Sequence, residues 1–151
     1  MKRRALGLGV LLVLVALVGY WSWTRVTPPV TEAEGRAYLN KIVAAARARD
    51  FEAMCRLNGA VANCRRQLTQ AGADAVPPEP PRVVGTRYVP ERDGSVAGRV
   101  LVVEGVDGRG RTYRTEVFVF RENRYHFKAI NAVYWSNYKL IESNTVSPDP
   151  M

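Results

Sequence analysis

The sequence predicts an α+β fold, with an N-terminal transmembrane helix followed by helices packed on one face of a curved four-stranded antiparallel sheet. Three observations support this class. Residues 5–23 form an uncharged, mostly apolar run. Apolar residues over 38–46 recur at helical spacing. After the prolines within 77–81, four segments rich in β-branched and aromatic residues follow one another.

The N-terminal run has the length and the flanks of a single-pass membrane anchor. It is long enough to cross a bilayer as a helix, and Lys2, Arg3 and Arg4 precede it. These charges predict a cytoplasmic N-terminus and an extracytoplasmic domain. A cleaved signal peptide has the same features, but no A-x-A-like cleavage site stands near the end of the apolar run, where Ala16, Gly19 and Ser22 each follow a large residue two positions earlier. We therefore expect an uncleaved anchor at 1–24 that contacts the membrane through residues 5–23.

The net charge of +8 is spread along the chain. Four of the 22 Lys and Arg residues flank the anchor, which leaves 18 cations against 14 Asp and Glu. The remaining cations are scattered among carboxylates and form no patch. This distribution does not favour nucleic acid as a partner.

Helix signals follow a short linker, which we place at 25–30 because two adjacent prolines stiffen it. Thr31 and Glu34 have the spacing of a capping box, so a first helix is expected over roughly residues 32–48.

Two shorter helices should complete the helical half of the domain. Asp50 is placed to cap the first of them, which carries Phe51 and Met54. The second should cover 62–71 and end at Gly72.

The second half of the sequence predicts an antiparallel meander. Its expected strands cover residues 82–89, 99–106, 111–120 and 125–135. The sequence DGRG at 107–110 is a hairpin turn signal, and residues 122–124 should form the next turn. The domain should therefore extend over 31–140, and residues 141–151 should form a disordered tail.

A resemblance to a known superfamily rests on this order of elements and on the phrase AAARARDFEAMCRL, residues 44–57. The phrase is similar to the helix–Asp–aromatic helix start of the nuclear-transport-factor-2-like superfamily, which includes ketosteroid isomerase and polyketide-cyclase-like proteins. With its anchor, the chain also resembles membrane-associated accessory proteins of actinobacterial envelopes. The resemblance covers about 31–140. It implies a cone with a pocket between sheet and helices, and pairing of two copies through the sheet face, but no particular activity.

Both cysteines lie in the segment CRLNGAVANC, Cys55 to Cys64. On one continuous helix they would be about 13 Å apart, whereas a disulfide needs Cα atoms within about 7 Å. Asn58-Gly59 provides a turn signal between them, and export beyond the membrane favours oxidation. We therefore predict a disulfide. A redox pair lacks the C-x-x-C spacing, and two buried free thiols are the expectation for a cytosolic chain.

Glu116 and His126 are the candidate catalytic residues. Strand alternation places Glu116 on the same side as Phe118 and Phe120. On the concave side it would be a carboxylate in an apolar pocket. The alternative is a surface ion pair between Glu116 and an arginine. His126, the one histidine, is either a general base or a polar residue at a strand edge.

The segment AINAVYWSNY at 129–138 provides further candidates for a ligand pocket or a partner surface, together with Phe118 and Phe120. Tyr134 and Trp135 could line either one or pack in the core. Asn131 has apolar neighbours, so if buried it must bond a ligand or a backbone group.

These observations favour a membrane-anchored extracytoplasmic domain that is not an enzyme and that binds a partner protein or a small apolar ligand at the cell envelope. The alternative is an isomerase- or cyclase-type enzyme using a pocket carboxylate such as Glu116. We expect no cofactor. We also expect no metal site, since one histidine and two cysteines make a poor ligand set.

Overall fold

The computed structural model describes residues 28–92, 95–140 and 146–148. The first helix begins at the predicted capping box. The Thr31 hydroxyl accepts the Glu34 backbone N–H at 3.2 Å, and the Glu34 carboxylate accepts the Thr31 N–H at 2.9 Å. The resulting helix, α1 (Glu32–Arg47), buries one stripe of side chains: Tyr38, Leu39, Ile42, Val43 and Ala46. The expected first helix is confirmed.

Helices α2 (Phe51–Arg56) and α3 (Val61–Ala71) follow as predicted. The Asp50 carboxylate caps α2 by accepting the Ala53 N–H at 2.9 Å. Gly72 ends α3 with a φ of +90°, a conformation that glycine adopts readily. A single 3₁₀ turn over Ala73–Ala75 then leads to the proline-rich segment.

A disulfide joins α2 to α3. The Cys55 and Cys64 Cα atoms are 5.4 Å apart and the sulfurs 2.04 Å apart. Both side chains are fully buried. The chain reverses between the two cysteines, and the predicted disulfide is confirmed.

The four-stranded sheet is antiparallel, in the order β1-β2-β3-β4. Its strands are β1 (Arg82–Val89), β2 (Gly98–Val106), β3 (Thr112–Arg121) and β4 (Phe127–Ile130). The helices pack on one side of this sheet, which confirms the α+β class with three helices on four strands. That helix-facing side carries Leu101, Val103, Val117 and Val119 in the buried core. The residues between them point to the opposite side, called here the outer side.

Strand β4 is shorter than the predicted 125–135. Tyr125 and His126 lie in the turn before it, and the strand ends at Ile130 because Asn131 has a φ of +69°. This left-handed conformation, which asparagine adopts more readily than most residues, turns the chain out of the ladder. Alternation of residue types does not reveal such a turn.

Beyond the end of β4, two asparagine side chains form hydrogen bonds with the β3 backbone in place of a strand. Asn131 Nδ2 donates to the Glu116 carbonyl at 3.0 Å, and Asn137 Oδ1 accepts the Arg114 N–H at 2.9 Å. Asn137 also has a left-handed φ, +59°. The chain then forms β5 (Tyr138–Leu140), which pairs with β6 (Val146–Pro148) in part of the segment predicted as a tail.

The outer edge of β4 is covered by the α2–α3 turn. Ala129 donates its N–H to the Leu57 carbonyl at 3.0 Å and accepts the Gly59 N–H at 2.7 Å. The Tyr38 hydroxyl lies within 2.9 Å of the Leu57 carbonyl and 2.8 Å of the Phe127 carbonyl, which fixes the turn against the strand.

The predicted anchor, residues 1–24, lies outside the described residues, as does most of the linker. Within the described part, no helix has the length and apolar character needed to cross a membrane.

Candidate functional site

Glu116 lies on the outer side of the sheet. One of its carboxylate oxygens accepts a hydrogen bond from Arg87 Nη2 at 3.2 Å and another from the Leu140 N–H at 3.2 Å. The neighbouring residues Val117 and Val119, not Glu116, face the helices. Of the two alternatives left open by alternation, the structure therefore has the arginine ion pair, and the placement of Glu116 in a pocket beneath the helices is wrong.

Phe118 and Phe120 share this outer side and stack on each other, with ring centroids 5.8 Å apart. Phe118 is buried against Gly98, where a Cβ atom would come within 2.5 Å of its ring. Phe120 reaches Gly59 in the α2–α3 turn. Both rings are used for packing and neither lines a space between the two layers.

The last three candidates for a ligand pocket are buried on the helix-facing side. Asn131 accepts a hydrogen bond from Gln67 Nε2 at 2.7 Å and thus links α3 to the β3 backbone. The Trp135 indole donates to the Gly72 carbonyl at 3.2 Å. Tyr134 contacts the Trp135 ring edge-on, and burial raises the pKa of its phenol to about 12. These residues fill the core.

His126 is exposed in the β3–β4 turn. Its Nδ1 lies 2.8 Å from Asn123 Oδ1, and no carboxylate of residues 28–92 or 95–140 is among its hydrogen-bond contacts. This environment offers no apolar surroundings in which His126 could act on a bound substrate as a general base.

The space between helices and sheet is closed by buried side chains from both layers, including Ile42, Met54, Leu101, Val117 and Tyr134. The cone-shaped pocket implied by the family resemblance would lie here. A cleft of about 730 Å³ instead lies at one end of the sheet.

The cleft lies between the proline-rich segment and the tip of the β2–β3 hairpin. Its lining comes from residues 78–80, 104–106 and 112–114, with Arg82 and Asn137. Prolines have no N–H to donate, so the proline-rich segment runs beside the hairpin without extending the sheet.

The hairpin turn fixes this arrangement. Gly108 donates to the Ala75 carbonyl at 3.0 Å, and Arg109 forms an ion pair with Asp74. Asp107, which is buried, accepts the backbone N–H groups of Arg109 and Arg111, each at 2.9 Å. Burial opposes ionisation of this carboxyl, but the hydrogen bonds from Arg111 and Arg109 outweigh it and hold the pKa of Asp107 below 3.8.

The charged wall of the cleft is a row of three residues on adjacent strands. Glu104 accepts hydrogen bonds from Arg82 Nη2 at 3.4 Å and from Arg114 Nη1. Both arginine side chains are mostly exposed, at 80% and 60%. Each guanidinium has five N–H donors, so both retain donors for carboxylates or backbone carbonyls of a bound molecule.

Tyr113 lies beneath the cleft, almost fully buried, and its hydroxyl has no hydrogen-bond partner among the described residues. Burial, with a smaller contribution from Tyr134, raises the pKa of this phenol, so it stays protonated. Gly105 is required here, because a Cβ atom would come within 2.5 Å of the Tyr113 hydroxyl.

The cleft includes one residue of the edge strand β1. Arg82, in its wall, is the first residue of β1, and the edge of β1 that faces away from β2 pairs with no strand in the described part of the chain. Val84 has no partner in the β2 register and is exposed. The sequence contained a signal for this edge, since the first strand of a meander lies at its margin, but it contained none for the cleft.

Over the described residues, no group of three or more His, Cys, Asp and Glu side chains is placed to hold a metal ion. Comparisons with protein-family models, curated proteins and solved structures found no match for this chain.

Proposed function

We propose that this chain is a membrane-anchored extracytoplasmic domain, not an enzyme, and that it binds an extended segment of a partner protein at the cell envelope. The observation that carries the proposal is the unpaired edge of β1, whose first residue, Arg82, forms part of the cleft wall. An extended segment added beside β1 would form main-chain hydrogen bonds there, and the cleft would select its side chains.

The chemistry of the cleft favours a peptide over a small apolar ligand. Arg82 and Arg114 offer donors to carboxylates and carbonyls, while Pro78 and Pro80 form an apolar wall. A purely apolar ligand would leave the charged wall unsatisfied, and the space beneath the helices is already filled by side chains.

The cellular location is proposed from two independent features. Residues 5–23 have the composition of an anchor, with the positive charges on its N-terminal side. Disulfides persist mainly in oxidising compartments, so the Cys55–Cys64 bond supports a domain outside the cytoplasm.

Membership of the nuclear-transport-factor-2-like superfamily remains a proposal supported by the order of helices and strands. Pairing of two copies through the outer side of the sheet is a further one. The Arg87–Glu116 ion pair lies on that side and would have to be accommodated in such an interface. Light scattering of the detergent-solubilised chain would distinguish a monomer from a dimer.

The enzyme alternative draws less support from the geometry, because Glu116 is held by Arg87 and by the Leu140 backbone. If Glu116 were a pocket base, Glu116→Gln would abolish turnover of a substrate while partner capture stayed intact.

Site-specific photo-crosslinking in the full-length chain tests the binding proposal. A crosslinker at Val106, which lines the cleft, should yield a partner adduct in cell membranes, whereas one at the exposed Ala44 on α1 should not. Val84→Pro should abolish the adduct with little change in stability, since proline is tolerated at bulges of edge strands. An adduct of equal yield at both positions, or one insensitive to Val84→Pro and Arg114→Glu, would refute the proposal.

A further inference from the structure

The first described residues are fixed to the end of the sheet opposite the cleft. Val30 is buried, and its carbonyl accepts Arg99 Nε at 3.0 Å. The Pro28 carbonyl accepts Arg121 Nε at 3.1 Å. Arg99 is the second residue of β2 and Arg121 is the last of β3, so the chain enters the domain at a defined place.

The β3–β4 turn, residues 122–126, lies at the same place. The guanidinium that holds Pro28 also donates to the Arg124 carbonyl at 3.2 Å and lies 4.4 Å above the Phe127 ring. Arg121 thus bridges the incoming chain and the turn with one side chain.

This turn is ordered and presents a tyrosine to solvent. Asn123 Oδ1 accepts the N–H groups of Tyr125 and His126 at 3.0 and 2.9 Å, and Glu122 N–H bonds the His126 carbonyl at 2.9 Å. Tyr125 is 80% exposed.

The proposed anchor ends at residue 24, and only residues 25–27 separate it from the fixed Pro28. The four residue steps from residue 24 to Pro28 reach at most about 14 Å. If the anchor spans the membrane, this short linker therefore keeps the 122–126 turn within reach of the bilayer surface. Tyrosine favours that interface because its ring is amphipathic, and the arginine guanidinium is attracted to anionic lipid headgroups.

We infer that the 122–126 turn docks on the outer-leaflet surface, with Tyr125 in the headgroup region and Arg124 beside anionic phosphates. This inference rests on the membrane anchoring in the proposed function. Glu122 opposes the electrostatic attraction in part, so Tyr125 is the main contact. Strand β2 extends about 25 Å from this end, so the docked domain presents its cleft away from the membrane.

The test uses the full-length chain in nanodiscs that contain anionic phospholipid. The native cysteines are joined, so a fluorophore on Glu122→Cys reports this turn, and one on Ala73→Cys reports the far end near the cleft. Spin labels on lipid headgroups should quench the probe at 122 severalfold more than the probe at 73. Tyr125→Ala should remove the difference, and Tyr125→Trp should restore it.

The possible failures are distinguishable. A chain that does not co-elute with the nanodiscs would overturn the anchoring and this inference together. A chain that co-elutes but is quenched equally at both positions would overturn the docking of the turn alone. Quenching at 122 that survives Tyr125→Ala would overturn the assigned role of Tyr125.

Discussion

The two edges of the sheet differ in how their backbone groups are satisfied. On the β4 side, Ala129 bonds Leu57 and Gly59, so the α2–α3 turn acts as an additional strand. On the β1 side, the described residues place no strand along the edge of Arg82–Val89 that faces away from β2. An uncovered edge invites pairing with other chains. Its presence on one side only favours a binding role for β1 and a structural role for the opposite edge.

Among variants that should still fold, the largest effect is expected at the covered edge, from Asn131→Ala. The change removes a buried amide, leaves Gln67 and the Glu116 carbonyl without this partner, and puts alanine at a left-handed φ. We expect a loss of about 3 kcal/mol in the free energy of unfolding, measured by denaturation of the full-length chain. Asn40→Ala, on the exposed face of α1, is the matched control and should change it little. Equal losses in the two variants would contradict the bridging role.

Replacing both cysteines with alanine should be next in size. The disulfide closes a short loop, so its loss should lower the free energy of unfolding by about 2.5–3 kcal/mol on the chain-entropy model. Reductant should destabilise the natural chain by a similar amount and leave the Cys55→Ala/Cys64→Ala variant unchanged. A variant that still responds to reductant would argue against this origin of the stability.

Asp107→Asn tests a region that belongs to neither edge, the β2–β3 turn. The pKa of Asp107 is lowered in the folded state, so its contribution is complete above about pH 3.8 and is lost as the pH falls through the lower folded pKa. We expect the variant to lose about 1–2 kcal/mol at pH 7 and to show a shallower acid dependence. Unfolding curves from pH 7 to pH 2 measure the loss at pH 7 and the pH dependence of the free energy of unfolding. An unchanged pH dependence in the variant would show that Asp107 does not cause it.

The smallest effect on stability is expected at the free edge, from Val84→Lys. Val84 is exposed and has no partner in β2, so the free energy of unfolding should change by no more than about 0.5 kcal/mol. The partner adduct at Val106 should nevertheless disappear, because lysine discourages strand addition. The same substitution at the fully buried Ala129 should prevent folding. If Val84→Lys also unfolded the chain, the contrast between the edges would be lost.

Local signals accounted for most of the elements but not for their tertiary consequences. The Thr31–Glu34 box, Asp50 and Gly72 marked helix ends because each acts through its own backbone neighbours. Alternation placed Glu116 and Phe118 on one side of β3, but it could not show which side the helices cover.

The end of β4 and the cleft were not predictable for a different reason. Asn131 stops the strand through a backbone conformation that its residue type permits but does not require. The cleft exists because residues 78–80 meet the tip of a hairpin formed about thirty residues later in the chain. The two segments are held together by the Asp74–Arg109 ion pair and the Ala75–Gly108 hydrogen bond. These contacts join residues far apart in the chain, so no local sequence pattern predicts them.

The disulfide-linked α2–α3 turn also has a consequence for the order of assembly. Both cysteines and Leu57–Gly59 precede every strand, so the bond can close while the rest of the chain is still being synthesised. The closed turn then offers a preformed template to Ala129, which belongs to the last strand of the sheet to emerge. In a nascent chain kept reduced, β4 would have to add to the sheet without that preformed turn. The supply of oxidant during biogenesis would thereby govern the yield of correctly assembled protein as well as its later durability.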